Sequence, residues 1–400
     1  MVGSGGREHA LAWRIAQSPS LTSLHAAPGN PGIARLGTCH PVRADDGESL
    51  LNLARGLGVD LVVVGPEVPL VGGVGDLLRH AGLAVFGPSA AAARIEGSKA
   101  FAKEVMRAAG VPTAATMAVA RPPCVVKADG LAAGKGVFVC RTQEELDAAA
   151  RAVQALGDRV VIEELLEGEE ISVFALCDGH DALALPAAQD FKRIGDGDTG
   201  PNTGGMGSYS PVPGAPDTEE ILDLVHRPVL DELARRGSPF VGCLYAGLIL
   251  TADGPRVLEF NCRFGDPEAQ SLLPLLGGDL LAVLSAAASA ELSGAEVTAT
   301  EEAAVTVVLA AGSYPEDQDA GSPIDGLEEA EREGALVFHA GTALRDGRVV
   351  TNGGRILNVT GLGPSISDAR DLAYRAVERI SFAGARYRRD IAGRAAHVSG

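Results

Sequence analysis

The run Asp60–Gly65, DLVVVG, constrains the fold more than any other stretch. Three consecutive valines leave no polar face, so a strand made of them must be covered on both sides. Leu83–Phe86 is a second such run, and Leu50, Leu53, Ala54 and Leu57 recur ahead of the first at helical spacing. Residues 1–96 therefore read as a βαβ succession, an open parallel sheet with helices on both faces and ligands at the carboxyl ends of its strands. Only Met1 and Val2 precede the first glycine turn, too few for a full central strand. A truncated or late-assigned start and weak order at this end are expected.

That turn, Gly3-Ser4-Gly5-Gly6-Arg7-Glu8-His9, enters a helix. Unpaired N–H groups and the helix dipole at such a point favour an anion. Glu8 stands where a dinucleotide fingerprint has its third glycine, and no acid ends the next strand near Leu24–Pro28. A sugar phosphate fits better than NAD, with a plain packing turn as the alternative. Residues 28–32 and Gly65-Pro66-Glu67 would line the same crevice.

Leu258–Glu268, LEFNCRFGDPE, is the second anchor. An apolar strand turns polar there and offers Glu259, Asn261, Arg263, Asp266 and Glu268. Side chains alternate along a strand, so Glu259 and Asn261 share a face. A carboxylate beside an amide oxygen is a hard donor pair of the kind Mg²⁺ takes alongside phosphates. Arg263 joins that face if the strand persists, and can grip a carboxylate or phosphate with two bonds. A solvated strand end is the competing reading, and the remaining motifs decide between them.

Ser98 opens a helix that ends at Gly110, with Lys99 in its first turn. A cation is poorly placed there unless an anion lies near. In Cys124–Cys140, CVVKADGLAAGKGVFVC, two β-rich runs flank a loop of small residues. Lys127 ends the first run, and Lys135 is followed by Gly136 where a Walker loop would have Ser or Thr. The segment reads as a hairpin flap over phosphates. Thr142 and Glu145 form a capping box for a helix through Val153. Arg159–Leu166 is a strand ending in Glu163 and Glu164, with Glu169 and Glu170 beyond. Its open edge could read an adenine, and a following glutamate could take the ribose.

Asp190–Pro211 shows neither helical nor strand period and reads as a substrate loop. A helical segment Thr218–Arg236, interrupted at Pro228, precedes strands Val241–Leu250 and Pro255–Leu258, joined at Asp253-Gly254. Asp279 caps a helix to about Ala290, and Ser293–Glu302 resembles a linker. The last unit has strands at Ala304–Ala311, Ala335–Ala340 and Val349–Thr360. Its helix begins at Ser367, with Leu372, Ala376 and Ile380 on one face.

With 52 acidic against 34 basic residues, the net charge is -18. That disfavours nucleic acid and acidic membrane surfaces as partners. The six cysteines contain no CxxC pair, which argues against zinc and against a disulfide framework. No apolar run approaches the ~18 residues of a membrane span, so a cytoplasmic protein is expected. No Ser-His-Asp or Cys-His set stands out, and His9 and His339 read as structural or substrate-facing.

The strings GSGGREHA, VGPEVPLVGGV, EGSKAF, VVKADGLAAGKGV, VIEELLEGEE, KRIGDGDTGPNTGGMGSYSP, EFNCRFGDPE and FHAGT…TNGGR occur in that order nearly end to end. Together they closely resemble the phosphoribosylamine–glycine ligase family, ATP-grasp enzymes of purine biosynthesis. The resemblance implies ATP-dependent joining of glycine to 5-phosphoribosylamine through a glycyl phosphate, with Mg²⁺ or Mn²⁺ and no macromolecular partner, in a monomer. It implies a pre-ATP-grasp domain over 1–96, an ATP-grasp domain over 97–295 with its flap subdomain near 113–186, and a C-terminal α+β domain over 296–400. Glu259 and Asn261 match the metal ligands. Lys99, Lys127 and Lys135 match lysines on the ATP phosphates, Glu163, Glu164, Leu165 and Leu166 the adenine hinge, and Glu170 the ribose glutamate. Asn202 falls near phosphates and metal. Gly5, Gly6, Arg7 and Glu8, with Glu67, match the phosphoribosylamine side. Arg263, Asp190 and Lys192 are candidates at glycine or the acyl phosphate. The segments Met117–Pro123 and Gln154–Asp158 are shorter than in the family, which bears on flap closure. The competing implication is another ATP-grasp ribonucleotide carboxylase or formate ligase. An NAD-dependent oxidoreductase or an idle nucleotide-binding module fits the motifs less well.

Overall fold

The computed structural model describes residues 1–131, 136–155, 157 and 159–398. Its N-terminal unit is a five-strand parallel arrangement in the spatial order Thr38–Cys39, His25–Pro28, Val2–Gly3, Leu61–Val63, Ala84–Phe86, with Val2 bridged to Val64. The valine run explains the two-sided cover. Val62 and Val64 enter one buried cluster with Leu50, Leu51 and Leu78, from helices Gly47–Leu57 and Val74–His80. Val63 enters another with Leu11 and Ile15 of helix Gly6–Ile15. The weak order expected at the chain start finds no support. Val2–Gly3 is paired on both sides, Val2 is buried, and the Met1 ammonium donates to the His25 carbonyl at 2.8 Å.

Helices Ala90–Gly97 and Lys99–Ala109 lead into the central region, the second capped by Ser98 and closed by left-handed Gly110. The flap is a three-stranded antiparallel sheet, Val137–Cys140, Cys124–Ala128, Val160–Glu164. Helix Gln143–Gln154 packs Leu146, Ala149 and Val153 on its Cys124, Val126 and Cys140. Thr142 and Glu145 cap that helix as expected. Met117–Pro123 carries no helix, and Gln154–Asp158 lies partly outside the described residues. Behind the flap stands an antiparallel sheet ordered Ala182–Ala184, Glu169–Asp178, Val241–Thr251, Gly254–Asn261. Its last strand runs three residues further than Leu258, so Glu259 and Asn261 are within it. Earlier in the chain, the helical segment interrupted at Pro228 has that proline in the first turn of its second helix. A wide turn over Leu222–His226 joins Thr218–Ile221 to Arg227–Arg235, as suits a residue with no N–H to donate.

The C-terminal sheet overturns one expectation. Its antiparallel order is Gln189–Asp190, Gly207–Ser210, Ala303–Ala310, Arg355–Gly363, Leu336–His339. Two of these strands come from the segment that reads as a loop without secondary structure, and Arg193–Gly195 pairs with Thr199–Asn202 in the same segment. Long-range partners supply this pairing, so no local apolar alternation announces it. Helix Ile366–Val377 lies on this sheet, capped by Ser365 rather than beginning at Ser367. Its buried face is Ile366, Ala369, Ala373, Ala376 and Val377; of the predicted stripe, Ala376 and Ile380 are buried and Leu372 is partly buried against the same cluster. Helix and sheet approach closely: a Cβ at Gly361 would lie 2.1 Å from the Ala369 carbonyl, so the strand admits only glycine there.

Arg14 ties the N-terminal helix to the centre. Its Nε and Nη2 donate to the Leu276 carbonyl at 3.1 and 2.9 Å, and Nη2 to Gly278 at 2.6 Å. Arg14→Ala strands the buried Leu276 carbonyl and is expected to cost about 1–3 kcal/mol. Urea unfolding measures this, and an unshifted midpoint would refute the assignment.

Candidate active site

The strand Gly254–Asn261 decides where the polar residues point. Tyr245 pairs with Asn261, and Gly247 with Glu259, in unbroken register; Leu248 then pairs with Val257, leaving Leu258 as a one-residue bulge. Glu259 and Asn261 therefore project to one face. That face borders a cavity of roughly 1430 Å³ between the flap, the central sheet and the C-terminal region. Among the described residues, nothing hydrogen-bonds or ion-pairs with the Glu259 carboxylate or the Asn261 amide. Two oxygen donors side by side and uncommitted suit a hard divalent cation that shares its shell with phosphates.

The bulge has a second effect. Lys127 Nζ donates to the Leu258 carbonyl at 2.9 Å and pairs with Glu163 at 2.7 Å. Lys103 holds the same carboxylate at 3.0 Å and also bonds Thr113 and the Ala114 carbonyl. Glu163 is thus a buried carboxylate between two ammonium groups, facing away from the role of an exposed strand end. The strand's outer edge is occupied as far as Glu164, whose N–H donates to Ala115. Leu165 and Leu166 lie just beyond and line the cavity with Glu164. Lys99 Nζ donates to the Gly130 carbonyl at 2.9 Å. Burial lowers its pKa, while Glu259 opposes that and Lys127 adds to it. The anion at this helix's start is Asp129, which accepts from Ser98 and from the Ala100 N–H. Lys135 lies outside the described residues.

Arg263 also faces the cavity, although the strand has ended. It pairs with Glu96 at 2.8 Å and Glu67 at 3.2 Å. Burial works against its charge, but these two acids raise its pKa. Glu67 is drawn down to about 2 by Arg263 and Arg7, against burial. Glu96 escaped the sequence reading. It sits one residue before Gly97-Ser98-Lys99, and only the fold sets it against Arg263 and the Cys262 N–H.

The glycine turn behaves differently from expectation. Arg7 and Glu67 line the cavity; Gly5, Gly6 and Glu8 do not. Glu8 folds back to its own helix start, accepting from the Gly5 N–H and Arg7 Nε, both at 2.6 Å. Glycines at 3 and 65 make room for it, since a Cβ at either would meet the Glu8 side chain below 3 Å. The anion at this dipole is therefore a carboxylate of the chain itself. His9 and His339 are neutral: burial lowers them to about 3 and about 4, and His9 accepts from the His339 N–H.

Opposite Arg263, Lys192 pairs with Asp190 at 2.7 Å and with Glu170 at 3.3 Å. Burial works against the ammonium, yet those two acids raise its pKa well above normal. Glu170 and Asn202 line the same wall. Glu268 is buried beneath it and accepts from Ser172 at 3.3 Å. Burial first, then Asp190, pushes Glu268 up to about 7, with Lys192 opposing. No sequence pattern marks Glu268 as titrating near neutrality; its burial beside Asp190 does.

The chain matches three family models along its length: Phosphoribosylglycinamide synthetase N domain over 1–96, ATP-grasp (A) domain over 97–269 and C domain over 304–394. It is 51% identical to a phosphoribosylamine–glycine ligase of Streptomyces coelicolor, covering 99% of both chains, and 49% identical to one of Rhizobium meliloti over 99% and 98%. The crystal structure of phosphoribosylamine–glycine ligase from Thermotoga maritima superposes with a TM-score of 0.84 at 35% identity, covering 98% of each chain. The biotin carboxylase domain of Hydrogenobacter thermophilus 2-oxoglutarate carboxylase shares the fold, with a TM-score of 0.67 at 17% identity, over 96% of this chain and 90% of that one.

Because Glu268 holds its proton more tightly when folded than the usual 4.5, its contribution to stability is complete below about pH 4.5 and is lost as pH rises through about 7. Glu268→Gln removes that loss. Thermal midpoints from pH 5 to 8 should show the variant gaining on the wild type as pH rises; parallel curves would sink the assignment.

Proposed function

The chain belongs to the phosphoribosylglycinamide synthetase family, and from that footing we propose how its residues divide the work. It is an ATP-dependent ligase of purine biosynthesis that joins glycine to 5-phosphoribosylamine. A carboxylate oxygen of glycine attacks the γ-phosphorus of ATP, and ADP leaves with the electrons of the broken P–O bond. The amine of phosphoribosylamine then attacks the glycyl carbonyl. A C–N bond forms, the C–O bond to phosphate breaks, and the amine sheds a proton. No protein nucleophile is required, so the chain's task is positioning and charge neutralisation.

The observation that carries this assignment is the shared face of Glu259 and Asn261, opening on the cavity that Lys99, Lys127 and the Glu164–Leu166 edge also border. Glu259 and Asn261 would hold Mg²⁺ or Mn²⁺, which would supply positive charge against the phosphates. Lys99 and Lys127 reach the phosphates. Glu164, Leu165 and Leu166 receive the adenine, and Glu170 the ribose. Lys135, outside the described residues, is assigned to the phosphates by its place in the flap motif alone, and Asn202 lies beside them. Arg263, Asp190 and Lys192 surround glycine and the transferred phosphoryl. Arg263 is already paired with Glu67 and Glu96, so a substrate anion would compete with these acids for one side of its guanidinium. Arg7 and Glu67 face phosphoribosylamine, with Gly5, Gly6 and Glu8 supporting them from behind.

The test is a coupled ADP-release assay with phosphoribosylamine made in situ and each substrate left out in turn. ADP release should need glycine; turnover on bicarbonate or formate instead would point to a related ligase. Glu259→Ala should lower kcat by at least about a hundredfold with an unchanged thermal midpoint. Wild-type rates in that variant would refute the metal assignment. Chelation with EDTA should stop turnover, and Mg²⁺ or Mn²⁺ should restore it.

A further inference from the structure

Directly after Asp190, which pairs into the C-terminal sheet, and Lys192 comes a small hairpin, Arg193–Gly195 paired with Thr199–Asn202, whose last residue is Asn202. A two-stranded hairpin is marginal alone. Its fixed point comes from nearly two hundred residues later in the chain. Arg388 is 1% exposed and spends its donors on this hairpin and its tether. Nη1 donates to Asp198 at 2.8 Å and to the Arg193 carbonyl at 3.1 Å. Nε and Nη2 form a fork on Asp390 at 2.8 and 2.7 Å. Asp390 in turn accepts from the Gly197 N–H at 2.8 Å, and Asp196 accepts from the Arg389 N–H at 2.8 Å. All three turn residues of the hairpin are therefore held from the C-terminal segment. Asp198 itself has φ 55°, a conformation unfavourable for a side chain with a Cβ.

The grip reaches the cavity wall. The Arg388 guanidinium lies 5.0 Å from the centre of the Phe191 ring, and Phe191 is the residue between Asp190 and Lys192. Thr203, just past the hairpin, returns its N–H and hydroxyl to the Lys192 carbonyl at 2.7 and 2.8 Å. The anchor is itself fixed, because Tyr374 of helix Ile366–Val377 donates to the Arg388 carbonyl and Arg370 donates to the carbonyls of Arg389 and Ile391.

We infer that Arg388 is a positioning residue for the ligation: it latches the hairpin to the C-terminal domain and so sets where Lys192, next to Phe191, and Asn202, the hairpin's last residue, stand against glycine and the transferred phosphoryl. The inference rests on the assignment of that wall to glycine and phosphoryl transfer. Displacement by one ångström can cost about a hundredfold in rate, so the latch should act on glycine far more than on nucleotide. The adenine edge belongs to Glu164–Leu166, which Arg388 does not touch.

The experiment compares wild type, Arg388→Lys and Asp198→Asn. Lysine keeps the charge but cannot bridge Asp390 and Asp198 together. Asp198→Asn weakens one arm at an exposed turn, and asparagine tolerates positive φ, so this variant folds even where a change at buried Arg388 does not. Glycine-dependent ADP release gives kcat/KM for glycine, and calorimetry gives Kd for ADP. The expected result is a fall in kcat/KM of about tenfold or more for Arg388→Lys and a smaller fall, above about threefold, for Asp198→Asn, with Kd for ADP within about twofold of wild type. If every folded variant stays within about threefold in kcat/KM, or if ADP affinity falls in parallel with it, the latch is only structural and the inference is overturned. Should the wild type itself release no ADP in response to glycine, the assignment of the wall has failed instead.

Discussion

The register of one strand pair holds the site together. A slip of one residue between Val241–Thr251 and Gly254–Asn261 would send Glu259 and Asn261 to the opposite face. The bulge at Leu258 marks the place where this register is reset after the regular hairpin. It also turns the Leu258 carbonyl to the Lys127 ammonium, which bonds the buried Glu163. Flap and central sheet are thereby joined by a chain of charge-assisted bonds at the point where the two oxygen donors emerge. Removing Glu163 would leave two ammonium groups without their carboxylate, a cost far above the little net stability that buried ion pairs add.

Charge is the recurrent theme of the cavity, and it is locally balanced. Arg263 stands between Glu67 and Glu96, Glu163 between Lys103 and Lys127, and Lys192 between Asp190 and Glu170. Each triad has an odd charge, so adding an anion or a cation changes the pairing rather than simply filling a gap. A phosphate chain with a divalent cation brings both signs at once. A site made of such triads is prepared for that ligand, because each protein charge already sits in a direction fixed by its counterion and little reorganisation remains. The overall charge of -18 does not contradict this, since the cavity lining carries as many Lys and Arg as Asp and Glu side chains and the excess of acid lies elsewhere.

Much of this was legible in residue order, for local reasons. Val62–Val64 required cover on two sides, and the period of two placed Glu259 and Asn261 together. Ser98, Thr142 and Asp279 announced helix starts through bonds spanning three residues. What stayed hidden depends on distant partners. Glu8 read as part of a phosphate turn because its neighbours are glycines; those glycines in fact clear space for its own carboxylate. The strands at 189–210 have no apolar alternation, since their pairing comes from Ala303–Ala310 and from within the hairpin. Glu96 meets Arg263 across 167 residues, a distance no periodicity encodes.

The same contrast explains why the cavity is built from all parts of the chain. An acyl phosphate survives only where water is kept out, so the walls must meet closely around it. Here the walls are separate in sequence and joined by arginines. Arg355 of the C-terminal sheet donates to the Gly204 and Asp266 carbonyls, the second at 2.7 Å, linking the hairpin's exit to the turn after Asn261. Arg7 donates to the Phe264 carbonyl at 3.1 Å and brings the N-terminal unit to that same turn. The turn Arg263–Glu268 is thus where three regions converge, and its short glycine-proline path leaves little slack. A guanidinium suits each junction because it offers several fixed donors to carbonyls that the irregular backbone leaves unpaired.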